Sequence, residues 1–308
     1  MIKMGKAPNI LFFLADQHRG DWLGFYKKLP LKTPNIDALA EKGICFTKAC
    51  CPSPLCAPSR ASLAAGKRVP ETEVLNNDYI LSEEMDNFYK HLRAAGYKVG
   101  SVGKNDLHKK IFDNGIEGWT SRMGRLGFTD TVDSAGKWNT ITSLVADNRD
   151  EVWRQGKLHK FAEKFKKDGI IDFESIKPRD PYMAYLFENN VADIHIRDYL
   201  NRFISDHETY HASPLERRFY ADDFVGQQGV KMLNKFPVSE PWFLQVNFSG
   251  PHDPFDAPEE LLKEWEGVEF PLPSDEDIQK TNLSKEEHQK VRRNYAAQIQ
   301  GIDEWVGR

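Results

Sequence analysis

The chain has 308 residues, enough to bury a sizeable core as one large domain or two modest ones. Apolar residues make up 40% and charged residues 29%, a balance that excludes disordered and fibrous classes. The formal net charge of -4 gives no global attraction to nucleic acid or anionic membranes, although a few local cations would serve an anionic substrate.

Lys3 and Lys6 precede the apolar run Ile10-Leu11-Phe12-Phe13-Leu14-Ala15, a charge pattern shared with signal peptides. The run is short, follows Pro8-Asn9 and ends in Asp16 rather than a small-residue cleavage site. A buried parallel strand, apolar on both faces, fits it better. No stretch is long enough to span a bilayer, so the sequence as it stands reads as cytoplasmic unless an export signal has been removed. Thr33, Pro34 and Gly43 mark a helix by cap, first turn and stop, and Ile44–Thr47 then reads as a short strand. The four cysteines, Cys45, Cys50, Cys51 and Cys56, fall in one short segment, without the spread of a disulfide framework or the paired spacing of a zinc site.

A second helix is expected from near Pro58 to Gly66, and a third from Ser82 to Ala95 with Met85, Phe88, Tyr89 and Leu92 on one face. Tyr97–Val102 reads as a strand closing on Gly103-Lys104. Residues 110–215 show no clean period and are expected to form an insertion or cap, with a helical piece over Glu151–Lys167. Trp119, Trp138 and Trp153 in this region can serve as sugar-stacking platforms or as core. A long amphipathic helix follows over Leu215–Phe236, then a buried strand over Trp242–Phe248, then helices over Pro258–Trp265 and Ser284–Val306. Strands alternating with helices predict an α/β fold, a largely parallel sheet flanked by helices, with its active site beyond the carboxyl ends of the strands.

Three predicted strand ends carry chemical residues: Asp16-Gln17, Lys104, and Pro251-His252-Asp253. Each alone is as readily a turn or solvated residue. The sharpest feature is Cys56-Ala57-Pro58-Ser59-Arg60, followed by five residues and then Gly66. This motif resembles that of the type I, formylglycine-dependent sulfatases of the alkaline phosphatase-like superfamily, in which the cysteine becomes a formylglycine nucleophile. The resemblance extends in family order through Pro8-Asn9-Ile10-Leu11, Asp16-Gln17, Thr33–Gly43, Gly103-Lys104, Pro251-His252 and Ile302–Arg308.

The resemblance implies hydrolysis of sulfate esters of small molecules or carbohydrates. Hydrated formylglycine at Cys56 would attack sulfur and later expel sulfate, so that hydrolysis proceeds in two covalent steps. It implies a maturation enzyme as partner and a divalent cation, usually calcium, held by Asp16, Gln17 and the modified Cys56. Arg60 would hold the modified side chain, Lys104 would contact the sulfate, and His252 would hydrogen-bond the sulfate or ester oxygen. The family's Gly-Lys-Trp-His pattern is replaced by Gly103-Lys104-Asn105-Asp106-Leu107-His108, which puts Asp106 at the usual histidine position and leaves His108 to offer an imidazole to substrate.

Two further cation ligands normally follow the helix resembling Tyr295–Arg308. The chain is therefore expected to be the N-terminal part, residues 1–308, of a catalytic domain truncated at its C-terminus. Ser205-Asp206-His207-Glu208 precedes the Pro251-His252 motif and reads as coincidence. Two alternatives stay open: a phosphonate monoester or phosphodiester hydrolase of the same superfamily, and a catalytically dead fragment acting as a binding or structural module. Neither nucleic acid nor membrane is expected as a partner.

Overall fold

Among the described residues, four strands form one sheet in the order β1-β4-β2-β3: β1 over Ile10–Asp16, β2 over Lys98–Gly103, β3 over Asp130–Asp133 and β4 over Trp242–Pro251. The computed structural model describes residues 7–204 and 210–308; Lys3, Lys6 and Ser205-Asp206-His207-Glu208 lie outside the described residues. Strand β2 pairs in parallel with both neighbours, Gly100 standing opposite Asp130 on one side and Leu244 on the other. A parallel strand covered on both faces must be apolar or hydrogen-bonded throughout, and β4 is buried from Phe243 to Pro251. Gly100 is required by close approach: a Cβ there would sit 2.7 Å from Met232 Sδ and from the Phe236 ring. The α/β expectation holds.

The residues divide into two compact units. The first comprises the chain to Leu14, Ala49–Ala192 and Gln227–Asn247; the second comprises Ala15–Lys48, Asp193–Gly226 and Phe248–Arg308. In the first unit, the Cys56–Ala65 helix buries Ala57, Ala61 and Ala64 at helical spacing in a core shared with Val99, Leu107 and Phe243. Its small side chains let the helix backbone lie close to its neighbours. Its start is stabilised from a distance, because Asn77 Oδ1 accepts from Ala57 N at 3.1 Å. Gly66, at φ 63°, closes the helix.

The second unit packs Trp22, Phe270, Tyr295, Ala296 and Ile299 around the Lys285–Val306 helix, which opens with a reciprocal Ser284–Glu287 capping box. Asp303 on that helix accepts from Asn35 N (3.3 Å) and Ile36 N (2.8 Å), capping the Pro34–Lys42 helix. Thr33, the expected cap, instead donates its hydroxyl to Asp37 at 2.7 Å. The same unit holds a sealed charged cluster. Arg202, with no exposed surface, donates to Asp198 at 2.8 Å and lies 4.0 Å from Asp256. Tyr199 and Tyr220 each donate to Asp256 at 3.0 Å.

Several local expectations need correction. Ile44–Thr47 is not a strand: Ile44 and Phe46 are 82% and 78% exposed, and four residues without a pairing partner do not hold a strand. The helix expected over Ser82–Ala95 is confined to Phe88–Ala94, because Asn87 caps it by accepting from Lys90 N. The Glu151–Lys167 helix is two helices, Arg149–Trp153 and Lys157–Asp168, broken where Gly156 adopts φ 63°. Among the described residues, no helix is long and apolar enough to cross a membrane.

Candidate active site

The loop leaving β2 and the start of the Cys56 helix meet in the first unit. Lys104 follows the last residue of β2, and its backbone N–H donates to Asn247 O on β4 at 3.0 Å, so the sheet ladder fixes where its side chain begins. From there Lys104 Nζ reaches to 3.6 Å from Cys56 Sγ. Arg60, one turn along the helix, donates Nη1 to Lys104 O and, at 3.2 Å, to Asn247 Oδ1. Arg60 and Lys104 are 6% and 5% exposed, whereas Cys56 is half-buried. The nucleophile-type side chain is thus reachable, and both cations are held below the surface. The thiol lies in the first turn of a helix, where the backbone dipoles present about half a positive charge.

A polar row on the sheet supports this arrangement. Tyr89 OH donates to Gln245 Oε1, Gln245 Nε2 to Asn247 Oδ1, and Asn247 Nδ2 to Ser101 Oγ; all four residues are buried. Asn105 Nδ2 joins at Ser101 Oγ, and its N–H donates to Asp133 Oδ1. Burial drives the Tyr89 phenol upward, so it stays a neutral donor.

Asp106 turns the loop, at φ 59°, a conformation that costs a non-glycine residue energy. Its carboxylate receives Lys109 Nζ at 2.7 Å and lies 3.6 Å from Lys104 Nζ, all three residues being buried. A carboxylate oxygen of Asp106 lies within 4.8 Å of Cys56 Sγ. Beyond it, Asp106, His108, Lys109, Asn114, Asp133 and Asn139 line a small polar cavity. His108 Nε2 is 3.3 Å from Asp133 Oδ2, and Asn114 donates to the same oxygen at 2.9 Å. Burial, then the nearby Arg122, pushes His108 down to about 4, and burial raises Asp133 well above the usual carboxylate range. Both shifts have the same cause, since burial disfavours the charged form of each group.

Of the residues singled out in the sequence, Cys56, Arg60 and Lys104 come together directly, with His108 on the same loop as Lys104. Asp16, Gln17 and His252 belong to the second unit. Asp16 ends β1, and Gln17 turns the chain at φ 60°, its carbonyl accepting from Tyr295 OH at 2.6 Å. His252, just past β4, has Nδ1 2.7 Å from Asp253 O and 3.0 Å from Asp253 Oδ1. Cys45, Cys50 and Cys51 are exposed and not in disulfides; Cys51 Sγ hydrogen-bonds Ser53 O and Ser59 Oγ. Sequence reasoning missed Asn247 as the anchor of Arg60 and Asp106 as the carboxylate between two lysines. The signal for Asn247 was visible as Gln245 and Asn247, two polar residues two apart in an otherwise apolar strand.

Sheet and side chains together define an α/β protein that presents a nucleophile-type residue at a helix start, beside a lysine and an arginine, at the carboxyl edge of a parallel sheet. Residues 8–308 match the model of the Sulfatase family, and the chain belongs to that family. An ulvan-active sulfatase of Formosa agariphila is 34% identical over half of this chain and 30% of its own length. The choline-sulfatase of Rhizobium meliloti is 25% identical over 97% of this chain and 52% of its own length. In fold, the chain is similar to the phosphonate monoester hydrolase of Agrobacterium radiobacter, with a TM-score of 0.64 at 18% identity, covering 98% of this chain and 58% of that one. The chain spans about half the length of curated relatives that it matches from end to end.

Proposed function

We propose that this chain carries the nucleophile side of a sulfuric ester hydrolase, with Cys56, converted to formylglycine by a maturation enzyme, as the attacking residue. The observation that supports this most is the placement of Lys104 Nζ 3.6 Å from Cys56 Sγ, over an Arg60 anchored to β4. A sulfate ester is anionic, so a nucleophile approaches it only where positive charge is already in place. Lys104 binds a sulfate oxygen and orients sulfur towards position 56. Arg60 acts on the loop, holding the Lys104 carbonyl so that the ammonium does not drift. The helix start adds a fixed positive potential that needs no reorganisation during reaction.

The hydrated formylglycine supplies two geminal hydroxyls, one for attack on sulfur and one for sulfate release. For a divalent cation, Ca2+ by family, we assign Asp16, Gln17 and the modified Cys56; a carboxylate and an amide carbonyl are the hard oxygen donors such an ion takes, and the ion supplies charge neutralisation when bound. Gln17 stands at the left-handed turn after β1, a backbone conformation that functional sites often retain at a cost in strain. His252 hydrogen-bonds the sulfate or the ester oxygen. His108, neutral at physiological pH, offers its imidazole to the alcohol part of the substrate. That part is a small molecule or a carbohydrate, in keeping with a relative named for its action on ulvan.

The test is made on the complete gene product, co-expressed with a formylglycine-generating enzyme and assayed with an aryl sulfate and an aryl phosphodiester. Preference for the sulfate, abolished by Cys56→Ala, is expected. Preference for the diester would move the assignment to phosphonate or phosphodiester hydrolysis, and no turnover of either would support a binding or structural role.

A further inference from the structure

The Lys157–Asp168 helix carries five lysines against two acids, in a chain whose overall net charge is -4. Leu158, Ala162 and Phe165 are buried, and together they fix which face looks inward. Lys160, Lys164 and Lys167, at i, i+4 and i+7, fall on the opposite face and are all exposed. None of the three ammonium groups has a hydrogen bond or ion pair among the described residues, whereas neighbouring His159 pairs with Glu163 at 3.0 Å and Lys157 with Glu151 at 2.5 Å. Just before this helix, and packed against it through the Arg149–Trp153 helix, stands Trp153, 60% exposed. The Arg149 guanidinium lies 5.9 Å from its ring centroid.

We propose that this face is a secondary docking surface for a sulfated polysaccharide, separate from the Cys56 site. Sulfate groups along the strand pair with Lys160, Lys164 and Lys167, and the apolar face of a sugar ring stacks on Trp153. Charge complementarity selects a polyanion, since three exposed ammonium groups on one line attract a strand of regularly spaced negative charge. Two observations favour a glycan over a nucleic acid. The three lysines span about 10 Å of helix, too short for the six or more phosphate contacts of a duplex binder. A duplex also keeps its bases stacked inside, where an exposed indole cannot reach them, whereas every sugar in a glycan strand exposes a C–H face. The choice of sulfate as the anion rests on the function proposed for Cys56.

Binding is measured on the whole protein by calorimetry with dextran sulfate, neutral dextran and a DNA duplex of matched charge. Dextran sulfate should bind and neutral dextran should not. Lys160→Gln/Lys164→Gln/Lys167→Gln should weaken dextran sulfate binding about tenfold at low salt and flatten its salt dependence, because exposed charges are screened within about 8 Å at physiological salt. Trp153→Ala should weaken binding severalfold at every salt concentration, and Glu163→Gln should strengthen it about twofold. The substituted residues are exposed and glutamine keeps helix propensity, so thermal melting should not change. Unchanged binding in the triple variant, or equal binding of neutral dextran, would overturn the proposal. So would DNA that binds as tightly with the same dependence on Trp153. Aryl sulfate turnover should be the same in every variant; a protein without turnover that still binds dextran sulfate through these residues would lose the hydrolase reading and keep this surface.

Discussion

Two buried charged clusters, one in each unit, use similar residues to different ends. Around Arg202, the guanidinium faces Asp198 and Asp256, and two tyrosine hydroxyls complete Asp256. The cluster sets a buried cation against carboxylates and includes no cysteine or serine among the described residues named in it. Around Arg60, the guanidinium donates to the Lys104 carbonyl and to the Asn247 amide oxygen, which ties the helix start to the loop after β2 and to β4. Lys104 and Lys109 share one carboxylate, and a half-buried thiol stands within reach. A buried cation faced by carboxylates stabilises or specifies a fold, whereas cations beside a reachable thiol are placed to act on an anionic ligand.

The comparison is tested most severely at position 56. Cys56→Ala should reduce aryl sulfate turnover by at least about a thousandfold in the complete, matured protein, with an unchanged unfolding midpoint. Arg202→Met should do the reverse. It leaves Asp256 buried without its cation and should cost about 3–5 kcal/mol in denaturant unfolding, while kcat/KM of the folded fraction stays put. Lys104→Ala should lower kcat/KM by about 100- to 1,000-fold, the usual cost of removing one preorganised donor to developing charge. Asn247→Ala should sit between the two behaviours, destabilising by about 1–3 kcal/mol and lowering turnover through the released Arg60.

The smallest effect is a pH slope at His108. Its folded pKa of about 4 lies below its ordinary value of 6.5, so the neutral ring stabilises fully above pH 6.5, and that contribution is lost as pH falls through 4. His108→Asn should flatten the acid limb of stability across this window by at most one proton, about 1.4 kcal/mol per pH unit. An unchanged limb would mean that the ring is already charged in the folded protein.

Local signals carried most of what was legible in the sequence. The apolar runs of β1, β2 and β4, the Cys56–Gly66 segment and the helix from Ser284 to Val306 are local signals, and each formed near its expected place. What stayed hidden was long-range. Strand β3, Asp130-Thr131-Val132-Asp133, has no apolar run and exists by pairing with β2. The Pro34–Lys42 helix is capped by an aspartate 267 residues away in sequence from Ile36. Arg60 depends on Asn247, 187 positions away; the polar Gln245 and Asn247 mark their strand as unusual but do not name Arg60 as the partner. In the site, the cysteine motif was readable because its residues share one turn of helix. The role of Asp106 was not, because its two lysines converge only once the loop turns at φ 59°.

If Cys56 is the attacking residue, the chemical state of its side chain in active protein is the most direct thing to measure. Mass spectrometry of the peptide ending at Arg60, with a hydrazide probe for aldehydes, reads it in one step. The account predicts an aldehyde at position 56, with Cys45, Cys50 and Cys51 still thiols, and turnover that rises in proportion to the modified fraction. Full sulfate ester turnover by protein whose Cys56 remains an unmodified thiol would contradict it.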